Sequence, residues 1–213
     1  MASTLEKERT TTELLNWTLL DDNASGTPWL ETSQVDISSE VVCMLHIDMA
    51  ACTTATIGTS AEAIVWGKSG ATDDDWHEIR RMSYGLVENG KIDFSNGMTS
   101  GEVSVSMGDT TGVETYGQKV FIKHSTLANS MVNTLVDYSN DVDLFMLDAA
   151  TVDFTNTTDV YCPTGTLGHG VQQWYVEVPD GMWAAKVSFH NPDDDVNYAC
   201  RVQYSMVTDW TAT

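Results

Sequence analysis

Apolar residues recur at every second position over several short stretches, and the polar residues between them fall on the opposite side. From Val41 to Met49, the side chains of Val41, Cys43, Leu45, Ile47 and Met49 share one face, and His46 and Asp48 share the other. A second apolar strand is predicted over Ala61 to Gly67, with Ile64 and Trp66. A third, from Trp76 to Met82, follows the turn Asp73-Asp74-Asp75. Near the C-terminus, Trp183, Ala185, Val187 and Phe189 alternate with Ala184, Lys186, Ser188 and His190. Beyond Asn191-Pro192-Asp193-Asp194-Asp195, Tyr198, Cys200, Val202, Tyr204 and Met206 alternate with Ala199, Arg201, Gln203 and Ser205. The last two stretches predict an antiparallel hairpin with one buried face.

Between Glu102 and Tyr161 the predicted strands are shorter: Val103–Met107, Lys119–His124, Met131–Val136 and Val142–Leu147, separated by Gly- and Asp-containing turns. So many short strands in a small space suit a small barrel or meander. The expected fold is all-β: an antiparallel, jelly-roll-like β-sandwich from residues 13–101 and 162–213, with a small β-barrel or meander subdomain, residues 102–161, inserted in it. Residues 1–12, polar and Thr-rich, read as a flexible N-terminal arm. No internal repeat and no long amphipathic helix interrupts this pattern.

Composition agrees with the pattern. The chain holds 27 Thr and 21 Val against 13 Leu, and 20 Asp against 11 Glu. The β-branched residues favour pleated strands, and Asp favours turns over helix interiors. Charge narrows the function classes. With 31 acidic and 10 basic residues the formal charge is −21, which repels nucleic-acid phosphates and anionic membrane surfaces alike. The expected partners are cations, basic protein surfaces or neutral molecules, and neither nucleic acid nor membrane. The charged N-terminus lacks the apolar run of a secretory signal, and no stretch is long and apolar enough to span a bilayer. Cys43, Cys52, Cys162 and Cys200 have no CxxC spacing and are expected as reduced thiols.

Candidate chemistry is sparse. Asp73, Asp74, Asp75 and Asp193, Asp194, Asp195 each offer carboxylates to a hard cation, so weak calcium binding is one reading. Neither run has EF-hand spacing, and solvated turns whose Asp side chains cap backbone amides are the favoured reading. His46, His77, His124, His169 and His190 show no metal-ligand spacing, and no GxSxG elbow occurs. The glycines of Gly165-Thr166-Leu167-Gly168-His169-Gly170 lack the lysine a phosphate loop needs. The chain therefore reads as a non-enzyme without a cofactor. Of seven tryptophans, Trp66, Trp174 and Trp183 lie in strand patterns and are expected in the core. Trp17, Trp29 and Trp210, near the chain ends, are expected as interface anchors for a neighbouring subunit; stacking on sugar rings is the alternative use.

The order of several segments carries a resemblance. Glu62-Ala63-Ile64-Val65-Trp66-Gly67-Lys68-Ser69-Gly70 leads through the Asp-rich turn to Asp75-Trp76-His77-Glu78-Ile79. Then come Asp109-Thr110-Thr111-Gly112-Val113, Gly117-Gln118-Lys119-Val120-Phe121-Ile122 and Val178-Pro179-Asp180-Gly181. This order resembles the small β-sandwich proteins of tailed phages and related viruses that decorate or cement capsids. The resemblance implies a virion structural protein, assembled in the host cytoplasm and seated on the outer capsid surface. Its implied partners are the major capsid protein and itself, as a homotrimer or other homo-oligomer; it supplies no residue-level site. A carbohydrate-binding β-sandwich of a tail or host surface is the alternative, and a tail or neck component a further one.

Overall fold

In the computed structural model the described residues are 5–22, 28–37, 42–53, 61–72, 75–85, 89–106, 117, 119–139, 143–156, 158–163 and 170–212. In chain order the strands are β1 (Leu5–Leu20), β2 (Trp29–Glu31), β3 (Val35–Asp36), β4 (Val42–Ala51), β5 (Ala61–Lys68), β6 (His77–Tyr84), β7 (Asn89–Asp93) and β8 (Ser104–Ser106). They continue with β9 (Lys119–Lys123), β10 (Met131–Ser139), β11 (Asp143–Met146), β12 (Asp159–Pro163), β13 (Val171–Val178), β14 (Ala184–His190) and β15 (Tyr198–Ala212). One 3-10 turn, Leu127–Asn129, is the only helical element among the described residues.

The fold is all-β, and every strand pairing among the described residues is antiparallel. One sheet runs β1-β15-β4-β13. It faces a second, β2-β14-β5-β6, in which β3 also pairs with β14. Alternation puts Leu45, Ile47, Met49, Tyr198, Cys200 and Val202 of the first sheet against Ala63, Val65, Val187 and Phe189 of the second, and all are buried in one core. The third sheet, β7-β12-β9-β10-β11-β8, is drawn from residues 89–163. It encloses its own core of Phe94, Met98, Val120, Ile122, Leu135, Met146, Phe154 and Val160. The Ser95 N–H donates to the Ser106 carbonyl at 2.9 Å, so the chain just past β7 reaches β8 and the two edges of this sheet curl towards each other.

Three expectations are corrected. The strands over 184–190 and 198–212 are not a hairpin: β14 pairs with β2, β3 and β5, whereas β15 pairs with β1 and β4. They face each other across the core, and residues 191–197 carry the chain over the end of the sandwich. Period-two alternation says that a strand has one buried face; it does not say whether the next strand lies beside it or opposite. The expected arm is also strand, since β1 begins at Leu5 and pairs with β15 from Leu5↔Ala212 onward. Register shifts between Lys7 and Arg9, Glu13 and Leu15, and Leu15 and Thr18 move the alternation out of phase, and the run therefore looks unpatterned. Lastly, the third sheet starts at Asn89, ahead of residue 102, because β7 pairs with β12.

The third sheet sits on the outer face of the first, at one end. Trp17 of β1, Ala50 of β4, Val171 of β13 and Ala199 of β15 meet Phe121 and Tyr161 there, all buried. Small side chains at Ala50 and Ala199 let the two sheets approach closely. β15 pairs with β4 as far as Val207↔Val42; beyond it, among the described residues, its only partner is β1. Among the described residues these stretches of β1 and β15 therefore form a two-stranded ribbon, which at strand rise extends about 17 Å over five residues.

Candidate functional site

The first sheet's outer face carries a polar row beside the joint. Strand register places Gln173, Asp48 and Arg201 side by side on β13, β4 and β15. The Arg201 Nη2 and Nε donate to Asp48 Oδ2 at 2.6 and 2.9 Å, and the Gln173 amide donates to Asp48 Oδ1 at 2.7 Å. The Arg201 guanidinium also lies 4.8 Å from the Trp17 ring centre, and Trp17 packs at 4.8 Å on Phe121. A nearly buried ion pair therefore closes the rim of the contact between sandwich and insert.

A second constellation covers the outer face of the β2-β14-β5-β6 sheet. Trp29 stacks on His190 at 4.0 Å, with their planes 16° apart, and remains 55% exposed. Lys186 pairs with Glu31 at 2.9 Å and lies 4.4 Å over Trp76. Lys68, buried, lies 5.2 Å from Trp76 and 4.9 Å from Trp183. The Trp66 indole donates to Ser188 Oγ at 2.7 Å, and Arg81 bridges Glu62 and Glu78. Trp66 and Trp183 are half-buried here on the outer face, not in the core. Trp174 is half-buried and packs against the sandwich core. Aromatic planes interleaved with paired charges give a flat surface suited to stacking and to multiple hydrogen bonds. The signal was present in β14, where Lys186, Ser188 and His190 point away from the core together.

The sequence-predicted site residues do not gather into one place. Trp17 is 4% exposed and holds the insert, so its anchor is internal and no neighbouring subunit can use it. Trp29 is the exposed aromatic of the second constellation. Trp210 lies on β15 within the terminal ribbon, where its register partner is Lys7. Asp73 and Asp74 lie outside the described residues, and Asp75 is exposed. Asp193 is buried, and its Oδ1 accepts from the Asp195 and Val196 amides at 2.9 and 3.0 Å, an Asx-type turn. Asp194 and Asp195 are exposed on that turn. Among the described residues no group of three His, Cys, Asp or Glu is arranged to hold a metal. Calcium at these runs therefore stays an expectation from sequence.

Buried thiols and phenols complete the picture. Burial raises the Cys52 thiol to about 12, Lys123 lowering it slightly and Asp21 raising it. Burial pushes the Tyr84 hydroxyl, which donates to the Gly170 carbonyl at 3.1 Å, to about 12. Tyr198 and Cys200 are raised as well, again chiefly by burial. Such groups are neutral and inert near neutral pH.

No protein-family description and no curated protein matches the chain. Among solved structures, it is similar to the VP2 subviral particle of infectious bursal disease virus at 9% identity. That match covers 98% of this chain and 82% of the other, with a TM-score of 0.25. A second is VP17, a capsid protein of bacteriophage P23-77, at 11% identity over 97% of this chain and 99% of that one, with a TM-score of 0.20. A third is a chain of the VP16–VP17 complex of the same phage, at 10% identity over 95% and 100%, with a TM-score of 0.19. Scores this low define no shared fold.

Proposed function

We propose that this chain is a non-enzymatic structural component of a virus particle, a decoration or cement protein that binds the major capsid protein from outside and associates with copies of itself. The terminal ribbon is the observation that carries the reading. Among the described residues, β15 past Val207 pairs with β1 alone, and the two strands form a ribbon whose outer edges have no described partner. A two-stranded ribbon gains little stability alone, and open strand edges are what neighbouring chains add to. The formal charge of −21 supports a place away from packaged nucleic acid and on the exterior. The resemblance of its segment order to that of capsid-decorating proteins supports the same reading.

The test is quantitative mass spectrometry of gradient-purified particles from the source culture. A simple ratio of this chain to the major capsid protein is expected. A few copies per particle would move the protein to the tail or neck, and its absence would overturn the proposal.

A second reading, carbohydrate binding, has its own observation: Trp29 is more than half exposed and held flat on His190, as a sugar-stacking platform would be. Quenching of tryptophan fluorescence by glycans, lost in Trp29→Ala, is its test; silence across a broad glycan set would end it.

A further inference from the structure

The curled insert has a polar cavity that none of the readings above uses. Lys123 at the end of β9 and Asp159 at the start of β12 are register partners. With His124, Ser125, Thr155 and Thr158 they line a cavity of about 230 Å³. Drug-sized ligands and cofactors fill roughly 300–1,000 Å³, so this cavity suits something smaller, about the size of one sugar ring. The described lining residues all have polar side chains. An apolar ligand would leave those groups without water or partners.

The local hydrogen bonding fixes what the cavity offers. The Thr126 amide lies 2.8 Å from His124 Nδ1 and the Thr126 carbonyl 3.1 Å from the same nitrogen, so Nδ1 is engaged by the Thr126 backbone in either tautomer. The ring is held edge-on against Phe154 at 5.5 Å. The backbone carbonyls of Thr155 and Thr158 already accept from the Thr158 and Phe94 amides, and this spends local acceptors on the turn itself. The lining side chains are an ammonium, an imidazole, three hydroxyls that both give and accept, and the Asp159 carboxylate, which already accepts from the Tyr161 hydroxyl at 3.3 Å. One positive and one negative group balance, and donors and acceptors are mixed.

Two ligand classes compete for such a set. An oxyanion would use Lys123 and His124, but it would face the Asp159 carboxylate inside a chain of net charge −21. A neutral polyol uses both kinds of group, its vicinal hydroxyls giving to Asp159, accepting from Lys123 and meeting His124 in either tautomer, and it meets no long-range repulsion. We infer that the cavity between β9 and β12 is a subsite for a single neutral monosaccharide residue. The inference does not rest on the particle reading, and it places sugar recognition in the insert, apart from Trp29.

The test is titration of the isotope-labelled full-length chain with methyl glucoside, methyl galactoside and methyl mannoside, with sulfate as the anion arm, followed by amide chemical shifts. The expected result is millimolar binding of at least one glycoside, with shifts centred on residues 123–126 and 155–160. That binding should weaken about tenfold in Asp159→Asn and also in Thr155→Val, which alters only an exposed hydroxyl and leaves strand pairing intact. Three outcomes would overturn the inference. They are no shift with any glycoside, shifts centred on Trp29 and His190, or binding of sulfate in preference to the glycosides.

Discussion

Asp48 and Arg201 face each other on neighbouring strands, and Asp48 takes two hydrogen bonds from the guanidinium while Gln173 holds its other oxygen. The carboxylate side chain is 6% exposed and the guanidinium 23%. Removing one partner strands a charge in a place water scarcely reaches. Arg201→Met is expected to cost about 3 kcal/mol, the low end for such breakages because the arginine keeps some solvent. Chemical denaturation checks this, and the double change Asp48→Leu with Arg201→Met should recover a large part of the loss. If the single change costs nothing, the pair is not holding the rim of the joint.

The Trp17–Phe121 contact is the main apolar tie between sandwich and insert. Trp17→Ala is expected to destabilise the fold by about 3–5 kcal/mol. Amide exchange should rise first at Ala50, Val171 and Ala199, whose covering is lost, while Val120 and Ile122 inside the insert stay protected. Uniform loss of protection in both cores would mean that the insert has no independent core.

The terminal ribbon can be shortened without cutting into the sandwich. A chain lacking residues 1–9 and 208–213 together keeps every described β15–β4 pairing. It is expected to keep its melting temperature within a few degrees and to lose attachment to particles. Removing residues 1–12 alone is a harsher change, because it uncovers the β15 edge and invites aggregation. Full attachment by the doubly trimmed chain would separate the ribbon from assembly.

Stability should fall at alkaline pH. Cys52 and Tyr84 titrate near 9 and 10 when unfolded and at about 12 in the fold. An acid whose folded pKa is raised contributes its full stability below the unfolded value and loses it as pH climbs towards the folded one. The window is therefore about pH 9 to about pH 12, and below it these groups add no pH dependence. Urea midpoints measured across that window should decline, and less steeply in Tyr84→Phe. A flat profile would show that the two groups are not shielded from water.

Much of the sandwich was legible because its strands alternate cleanly. The apolar faces of β4, β14 and β15 could be read position by position, and the buried residues Cys43, Leu45, Ile47, Val187, Phe189 and Cys200 follow from them, whereas in β5 the core face is Ala63 and Val65 and not Trp66. Partnering was less legible, since alternation carries no information about which neighbour a strand meets. β1 was hidden by three register shifts. β7, with Asn89 and Gly90 at its start, carries little of the apolar or β-branched signal that marks strands. The candidate sites failed for a different reason. Lys68, Trp76, Trp183 and Lys186 lie far apart in the chain and become one surface only when β5 and β14 pair. The cavity at Lys123 and Asp159 likewise exists only through the β9–β12 register.

The ladder from Leu5↔Ala212 to Leu20↔Tyr198 also sets the order in which this chain can fold in time. The strands of the third sheet come from one unbroken stretch, so that unit can close while later residues are still being synthesised. The central strand of the first sheet, β15, is the last to emerge, and until it does β1 and β4 wait side by side with a gap between them. Closure across nearly the whole chain is entropically slow, and open edges persist meanwhile. Pulse-labelled amide exchange during refolding should therefore show protection at Val120 and Ile122 before it appears at Ile47 and Val202.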